Sequence, residues 1–189
     1  KLKLFRKNSL SLSSWPKLLN MIDDRSKKIQ INLHSLMKMN LLIIKKNWPK
    51  NLPGGIIHGD LFIDNIFFYQ KKFYGFIDFY FSSFDFLSYE LAICINSLCF
   101  NKKKNKFIFD KSKSSNLLKG YQKYRKLSVK EKKYFNTLCK GSALRYLLTR
   151  VYDYSNTPNN AIIKIKDPKE YIQKLIFHSK IKKFNDYIN

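Results

Sequence analysis

The spacing of apolar residues divides the chain into helical ends and a short β-rich centre. Between residues 9 and 47, apolar side chains recur three and four positions apart, which is the period of helices packed on one face. The period changes near Ile56, where a short apolar strand begins. The β-rich runs 66–69 and 73–79 are separated by three polar residues, so they predict a β-hairpin.

The part of the chain after the hairpin carries mainly helical signals. Ser128 and Glu131 have the spacing of a capping box, which predicts that a helix begins there. Asp167 and Pro168 suit the N-cap and the first turn of a last helix. We find no internal repeat and no linker, so residues 1–189 are predicted to form a single α+β unit that is mostly helical. The predicted elements are helices at 86–100, 116–125, 128–154 and after 167, and a basic loop at 101–106.

The polar residues that could carry chemistry lie around the predicted hairpin. Asp60 precedes it, Asn65 follows Asp60 by five positions, and Asp78 stands at the end of its second strand. Phosphoryl transfer needs a carboxylate beside the attacking hydroxyl and ligands that hold Mg²⁺ on the phosphates. Because Mg²⁺ prefers oxygen ligands, Asn65 and Asp78 are candidate metal ligands and Asp60 is the candidate base.

This order of residues resembles the catalytic loop, hairpin and metal-binding Asp of the protein kinases. The His58-Gly59-Asp60 form resembles the aminoglycoside phosphotransferase and choline kinase branch, whose members phosphorylate small molecules. The resemblance implies a kinase-like carboxyl-terminal lobe. We assign His58 no catalytic role, because a His in such a loop more often orients the backbone. The alternative is that these Asp residues are only turn or cap residues, and their kinase-like spacing argues against it.

Several longer blocks resemble the kinase-fold family of bacterial homoserine kinases. They are 47–65, 76–100, 143–154 and 166–178, which together span nearly the whole chain in order. The resemblance implies transfer of the γ-phosphoryl group of ATP to L-homoserine with Mg²⁺, giving O-phospho-L-homoserine for threonine biosynthesis. Two positions depart from the expected pattern: Gly59 stands where Ala is expected, and Glu90 stands where Asp is expected.

The same resemblance implies where the acceptor would bind. Homoserine carries an ammonium and a carboxylate, so its site needs one acidic and one basic partner, and Arg145, Arg150 and Asp153 lie in the matching helix. Arg150 and Asp153 are three positions apart, so a purely structural ion pair between them is the competing expectation. We expect Asp85 and Glu90 to be structural, with Asp85 near a helix start.

Kinases of this kind also carry a sheet-rich amino-terminal lobe with a Lys for the ATP phosphates. No such segment precedes Ser9, and the first residue is Lys1 instead of Met. We therefore expect the sequence to be the carboxyl-terminal part of a longer enzyme. Three alternatives stay open: a choline or aminoglycoside kinase of the same branch, an inactive remnant, and a basic nucleic-acid-binding protein.

The net charge of +24 is the observation that favours nucleic acid. Of the 37 basic residues 32 are Lys, they are scattered, and residues with AT-rich codons are abundant throughout. Compositional drift therefore explains the charge better than a dedicated polyanion surface does. The longest apolar run is too short to cross a bilayer. Cys94, Cys99 and Cys139 have no metal-type spacing and suit buried free thiols in the cytoplasm.

Overall fold

A computed structural model describes residues 6–22, 24–158, 160, 162 and 165–188 of the chain. It confirms the α+β class and the predominance of helix. None of the helices in these ranges combines the length and the apolar character needed to cross a membrane. The described α-helices are α1 (Trp15–Asn20), α2 (Leu33–Asn47), α3 (Leu87–Leu98), α4 (Lys111–Tyr124), α5 (Val129–Asn156) and α6 (Lys169–Lys180).

The strands form three antiparallel pairs. The predicted hairpin is confirmed as β2 paired with β3, although β3 ends earlier than expected. The other two pairs are β1 with β4, which brackets the hairpin, and β5 with β6, which follows α3. The described strands are β1 (Gly54–Ile57), β2 (Ile66–Tyr69), β3 (Lys72–Phe76), β4 (Ser83–Phe86), β5 (Phe100–Lys103) and β6 (Lys106–Phe109).

The loop predicted at 101–106 is wrong, because β5 and β6 form a tight hairpin there. Most of the basic residues that suggested a loop are exposed residues of the two strands, and only Lys104 lies in the turn. Phe100 and Phe109 pair across the strands with ring centroids 5.3 Å apart. Gln173 of α6 holds the turn, since its side chain accepts from the Phe107 amide and donates to the Asn105 carbonyl. These contacts come from a distant helix, so the local pattern could not reveal them.

The starts of α5 and α6 follow the predicted chemistry closely, whereas α4 begins at Lys111, five residues before the predicted start, with Asp110 as its N-cap. Ser128 is the N-cap of α5, its hydroxyl accepts from the Glu131 amide, and Glu131 accepts in return from the Ser128 amide. The capping box is therefore confirmed. At α6 the N-cap position falls on Pro168, one residue later than predicted, and Asp167 Oδ1 accepts from the Lys169 amide at 2.9 Å.

The long helix α5 packs against α3 and α6 in the centre of the fold. Its middle is almost fully buried, and Leu144, Leu147, Leu148 and Val151 have no exposed surface. The three cysteines lie in the same interior as free thiols, as expected. The packing of α6 on α5 matters for function, because residues of both helices meet beside the catalytic loop.

A polar cluster of α3, α5 and α6 is also buried in this core. The side-chain amide of Asn96 donates to the carbonyls of Ala92 and Cys139, so its oxygen is left to accept from His178 Nε2 at 3.0 Å. His178 Nδ1 must then accept from the hydroxyl of Tyr187 at 2.8 Å. The network therefore fixes His178 as a neutral imidazole protonated on Nε2.

This cluster makes stability depend on pH. Burial is the main cause that lowers the pKa of His178 from 6.5 to about 3. Between these two pH values His178 is therefore protonated in the unfolded chain and neutral in the folded chain. Its stabilising contribution is full above pH 6.5 and should decline steadily as the pH falls from 6.5 towards 4. Urea unfolding at several pH values measures this slope. His178→Gln, which cannot be protonated, should flatten it, and an unchanged slope would contradict the assignment.

Candidate active site

The candidate catalytic loop begins where β1 ends at Ile57. The Ser82 hydroxyl donates to the Ile57 carbonyl at 2.8 Å, which ties the strand end to the segment before β4. Gly59 follows with a φ of +78°, and a Cβ there would lie 2.7 Å from the carbonyl oxygen of Phe81. The Ala expected at this position would therefore be strained in this chain, and glycine relieves both the contact and the conformation.

Two side chains fix the loop backbone, Glu90 from α3 and His58 from within the loop. Glu90 of α3 accepts from the Gly59 amide at 3.0 Å through Oε2, although its other oxygen is buried without a hydrogen-bond partner. Burial is the main cause that raises the pKa of Glu90. His58 contacts the main chain with both ring nitrogens: Nε2 donates to the Ile77 carbonyl at 2.9 Å, and Nδ1 accepts from the Asp60 amide at 3.3 Å.

Asn65 joins the loop to the segment that leaves the hairpin. The Asn65 carbonyl accepts from the Ile77 amide at 3.1 Å, and His58 Nε2 donates to the Ile77 carbonyl. Ile77 is thus bound to the loop on both sides, which brings the next residue, Asp78, beside it. Asp78 lies two residues after the end of β3, in a left-handed conformation with a φ of 59°, and its carboxylate is exposed.

These two side chains offer oxygen atoms that suit a hard cation. The Asn65 amide nitrogen donates to the Asp60 carbonyl at 2.8 Å, which leaves Oδ1 free as a ligand. Among the described residues, the Asp78 carboxylate has one hydrogen-bond partner, the Tyr80 amide at a long 3.4 Å. Among the described His, Cys, Asp and Glu side chains no three gather closely enough to hold a metal. One amide and one carboxylate match the sparse protein ligation that Mg²⁺ takes on nucleotide phosphates.

Only one oxygen of the Asp60 carboxylate, Oδ1, has described side-chain partners. The Tyr146 hydroxyl lies 2.9 Å from Oδ1 and the Arg145 guanidinium lies 3.5 Å from the same oxygen. No described side chain hydrogen-bonds Oδ2, which is left for an incoming group. Tyr146 was not foreseen, because in the sequence it is one more large residue in the apolar stripe of α5.

A cavity of about 370 Å³ opens in front of Asp60. Its described lining includes two carboxylates, Asp60 and Asp153, and two cations, Arg150 and Lys166. Arg145, the other basic candidate, is not among the described lining residues. Its guanidinium lies behind Asp60, 4% exposed, over the ring of Tyr146 at 4.0 Å from the centroid.

Comparison with known proteins identifies a family for the segment that holds the loop and the hairpin. Residues 17–110, which hold the loop and the hairpin, match the sequence model of the phosphotransferase enzyme family. The chain belongs to this family. It is also 40% identical over 184 residues to the homoserine kinase of Brucella anthropi and 42% identical over 184 residues to that of Rhizobium meliloti. Each alignment covers 97% of this chain but 56% of the relative, so the chain spans about half the length of the curated relatives it matches.

One ion pair differs from the expectation. Arg150 does not pair with Asp153; its Nη1 donates to Glu170 Oε2 at 2.6 Å and to the Asp167 carbonyl at 3.1 Å. The reason is tertiary packing: α6 begins beside α5 and places the Glu170 carboxylate within hydrogen-bonding distance of Arg150. Asp153 lies on the cavity wall, where partial burial raises its pKa.

Asp85 is not among the described residues that line this cavity. It is in β4, just before α3, as expected for a residue near a helix start. One carboxylate oxygen accepts from the Phe86 amide and the other from the side-chain amide of Asn8, both at 2.7 Å. Its contacts are those of a residue that fixes the chain before α3.

Proposed function

We propose that the protein containing this chain is a homoserine kinase, which transfers the γ-phosphoryl group of ATP to the side-chain hydroxyl of L-homoserine. The observation that carries the proposal is Asp60, whose Oδ2 has no described hydrogen-bond partner, at a cavity whose described charged side chains are two positive and two negative. Similarity to homoserine kinases along 97% of the chain supports it. Use of ATP and three buried free thiols suit a cytoplasmic enzyme.

Asp60 is the proposed base. Its Oδ2 accepts the proton of the acceptor hydroxyl as the hydroxyl oxygen bonds to the γ-phosphorus and the bond to ADP breaks. Arg145 and Tyr146 hold Oδ1 and so keep the carboxylate from turning away. A phosphoryl-transfer transition state is loose, so the contribution of the base is mainly the positioning of the hydroxyl.

Asn65 and Asp78 are the proposed Mg²⁺ ligands. Bound there, the cation would neutralise charge on the phosphates of ATP. The protein contributes the placement of these two residues: both are tied to the catalytic loop through the Ile77 peptide, so ligands and base are held by one set of hydrogen bonds.

The lining of the cavity favours an amino acid over the other acceptors of this branch. An aminoglycoside carries several ammonium groups and needs a strongly acidic site, whereas two of the four described charges here are positive. Choline has no carboxylate and is usually bound by an aromatic cage. The described aromatic side chains of the lining are only Phe62 and Tyr146, and Tyr146 is hydrogen-bonded to the base. A zwitterion matches this balance of charges.

The proposal is tested by ADP release from the full-length gene product with ATP and Mg²⁺. L-Homoserine, choline and an aminoglycoside are offered in parallel at equal concentrations. We expect turnover with homoserine at least tenfold above that with either of the others. Equal rates would refute the acceptor but leave the kinase class standing, and no turnover with any acceptor would refute the kinase itself.

Asp78→Asn should weaken metal binding while leaving the base in place. Removal of a carboxylate from the cation should lower activity at least tenfold at low Mg²⁺, and higher Mg²⁺ should restore part of it. Activity measured as a function of Mg²⁺ concentration shows this shift. Asp64→Asn is the matched control, because Asp64 is an exposed neighbour whose only described ion pair is a 3.8 Å contact with Lys166. A loss in Asp78→Asn that does not depend on Mg²⁺ would contradict the role.

A further inference from the structure

Arg150 is held in one orientation at the wall of the cavity. Its Nη1 donates to Glu170 and to the Asp167 carbonyl, and its guanidinium lies 4.5 Å from the ring centroid of Tyr171. The residue is 7% exposed. Both described hydrogen bonds use the same nitrogen, so the other nitrogens of the guanidinium remain available to a ligand in the cavity.

The partner of Arg150 is itself fixed from the interior. The second carboxylate oxygen of Glu170 binds Lys174, whose ammonium also donates to the Asn96 carbonyl at 2.6 Å. Lys174 is only 2% exposed, and a buried ammonium is costly unless it is paired. Burial alone would raise the pKa of Glu170, but Lys174 and Arg150 lower it, so Glu170 stays ionised between two cations.

Asp153 presents the opposite charge one helical turn from Arg150. The two residues are three positions apart on α5, which places them on the same face, and both line the cavity. No described cation pairs with Asp153. Because Arg150 is committed to Glu170, the carboxylate of Asp153 is not neutralised by its neighbour and can attract a cationic group.

We propose that the acceptor is bound as a zwitterion by Arg150 and Asp153, with Glu170 as the positioning residue for Arg150. Arg150 takes the α-carboxylate and Asp153 takes the α-ammonium. Asp60, at the same cavity, is left for the hydroxyl. This assignment rests on the proposed function, and it makes the pair of charges on α5 the source of the preference for an α-amino acid.

Two acceptors that each lack one charge separate these roles. 3-Amino-1-propanol is homoserine without the carboxylate, and 4-hydroxybutyrate is homoserine without the ammonium. Arg150→Met should lower kcat/KM for homoserine and 4-hydroxybutyrate about 10- to 100-fold, as expected for a lost charged hydrogen bond, and change 3-amino-1-propanol little. Asp153→Asn should lower kcat/KM for homoserine and 3-amino-1-propanol and change that for 4-hydroxybutyrate little. A fall that is equal for all three acceptors in both variants would overturn the assignment.

The positioning role of Glu170 predicts a different result. Glu170→Gln should raise KM for homoserine about tenfold or more while kcat and KM for ATP change little, because Arg150 is no longer held in one orientation. The buried Lys174 also loses its charged partner, so urea unfolding of the variant is measured alongside to separate lower stability from weaker acceptor binding. Glu131→Gln is the matched control, since Glu131 is a buried carboxylate paired with Arg125 at the start of α5. It should leave the acceptor profile unchanged. Arg150→Lys, which keeps the charge, should restore part of the loss seen in Arg150→Met and guards against a variant that simply misfolds.

Binding measured without turnover keeps this inference separate from the proposed function. Calorimetric titration of the full-length protein with the three acceptors should give the tightest binding for homoserine, and each variant should lose the discrimination that its charge supplies. If the wild type binds homoserine selectively but phosphorylates nothing, the binding roles of Arg150 and Asp153 are supported and the proposed kinase activity is refuted. If the wild type phosphorylates homoserine but the variants keep its discrimination, the kinase activity is supported and the binding roles of Arg150 and Asp153 are wrong.

Discussion

Asp60→Asn should lower kcat of the full-length enzyme about 10²- to 10⁴-fold. The substitution keeps the shape of the side chain but removes the charge and the proton acceptor from the oxygen that faces the cavity. Because phosphoryl-transfer transition states are loose, the loss should lie towards the lower end of this range. KM for ATP should change little, since Asp60 faces the acceptor cavity. Steady-state ADP release with homoserine measures both quantities.

The control for this variant is again Asp64→Asn, four residues further along the same loop. Asp64 is exposed, with 75% of its side chain in solvent, and its described contact is with Lys166 alone. The two substitutions have the same chemistry, so any difference reflects where the carboxylate lies. Full activity in Asp60→Asn would overturn the assignment of the base. An equal loss in both variants would show that the loop tolerates neither change.

The parts of the site that could be predicted from the sequence are those carried by a short continuous segment. Asp60, Asn65 and Asp78 are separated by few residues and by one hairpin, and their order resembles that of a kinase catalytic loop, which implied that they lie close together. The hairpin was predictable for the same reason, because its alternation and its turn are local. The capping box at Ser128 and Glu131 is local too, and the structure confirms it.

The parts that could not be predicted depend on contacts between distant segments. Glu90 reaches the loop from 31 residues away and Tyr146 from 86, and nothing in their neighbourhoods marks them as polar partners of a loop. The pairing of Arg150 with Glu170 depends on how α6 is placed against α5. The spacing of i and i+3 on a helix predicted Asp153 as the partner of Arg150, because that rule considers one isolated helix. The pairing of β1 with β4 likewise joins strands on either side of the hairpin.

The packing around Trp48 is another feature that only the folded chain reveals. Gly141 lies in the buried middle of α5, where glycine is a poor helix former. A Cβ built there would lie 2.3 Å from a carbon of the Trp48 ring and 3.1 Å from the ring of Trp15. Trp48 has little room to move, because its ring meets Trp15 at 5.5 Å and Tyr89 at 5.7 Å between centroids. The glycine is therefore needed for this close approach of helix and indole.

Gly141→Ala should destabilise the protein by about 2–3 kcal/mol, even though alanine favours helix by about 1 kcal/mol, because overpacking a rigid aromatic cluster outweighs that gain. Gly120→Ala in α4 is the matched control: nothing lies within 4 Å of a Cβ there, so helix propensity alone should act and the variant should gain up to about 1 kcal/mol. Urea midpoints of the two variants against wild type should therefore move in opposite directions. If Gly141→Ala stabilised the protein as Gly120→Ala does, the contact between α5 and Trp48 would not be as close as the structure has it.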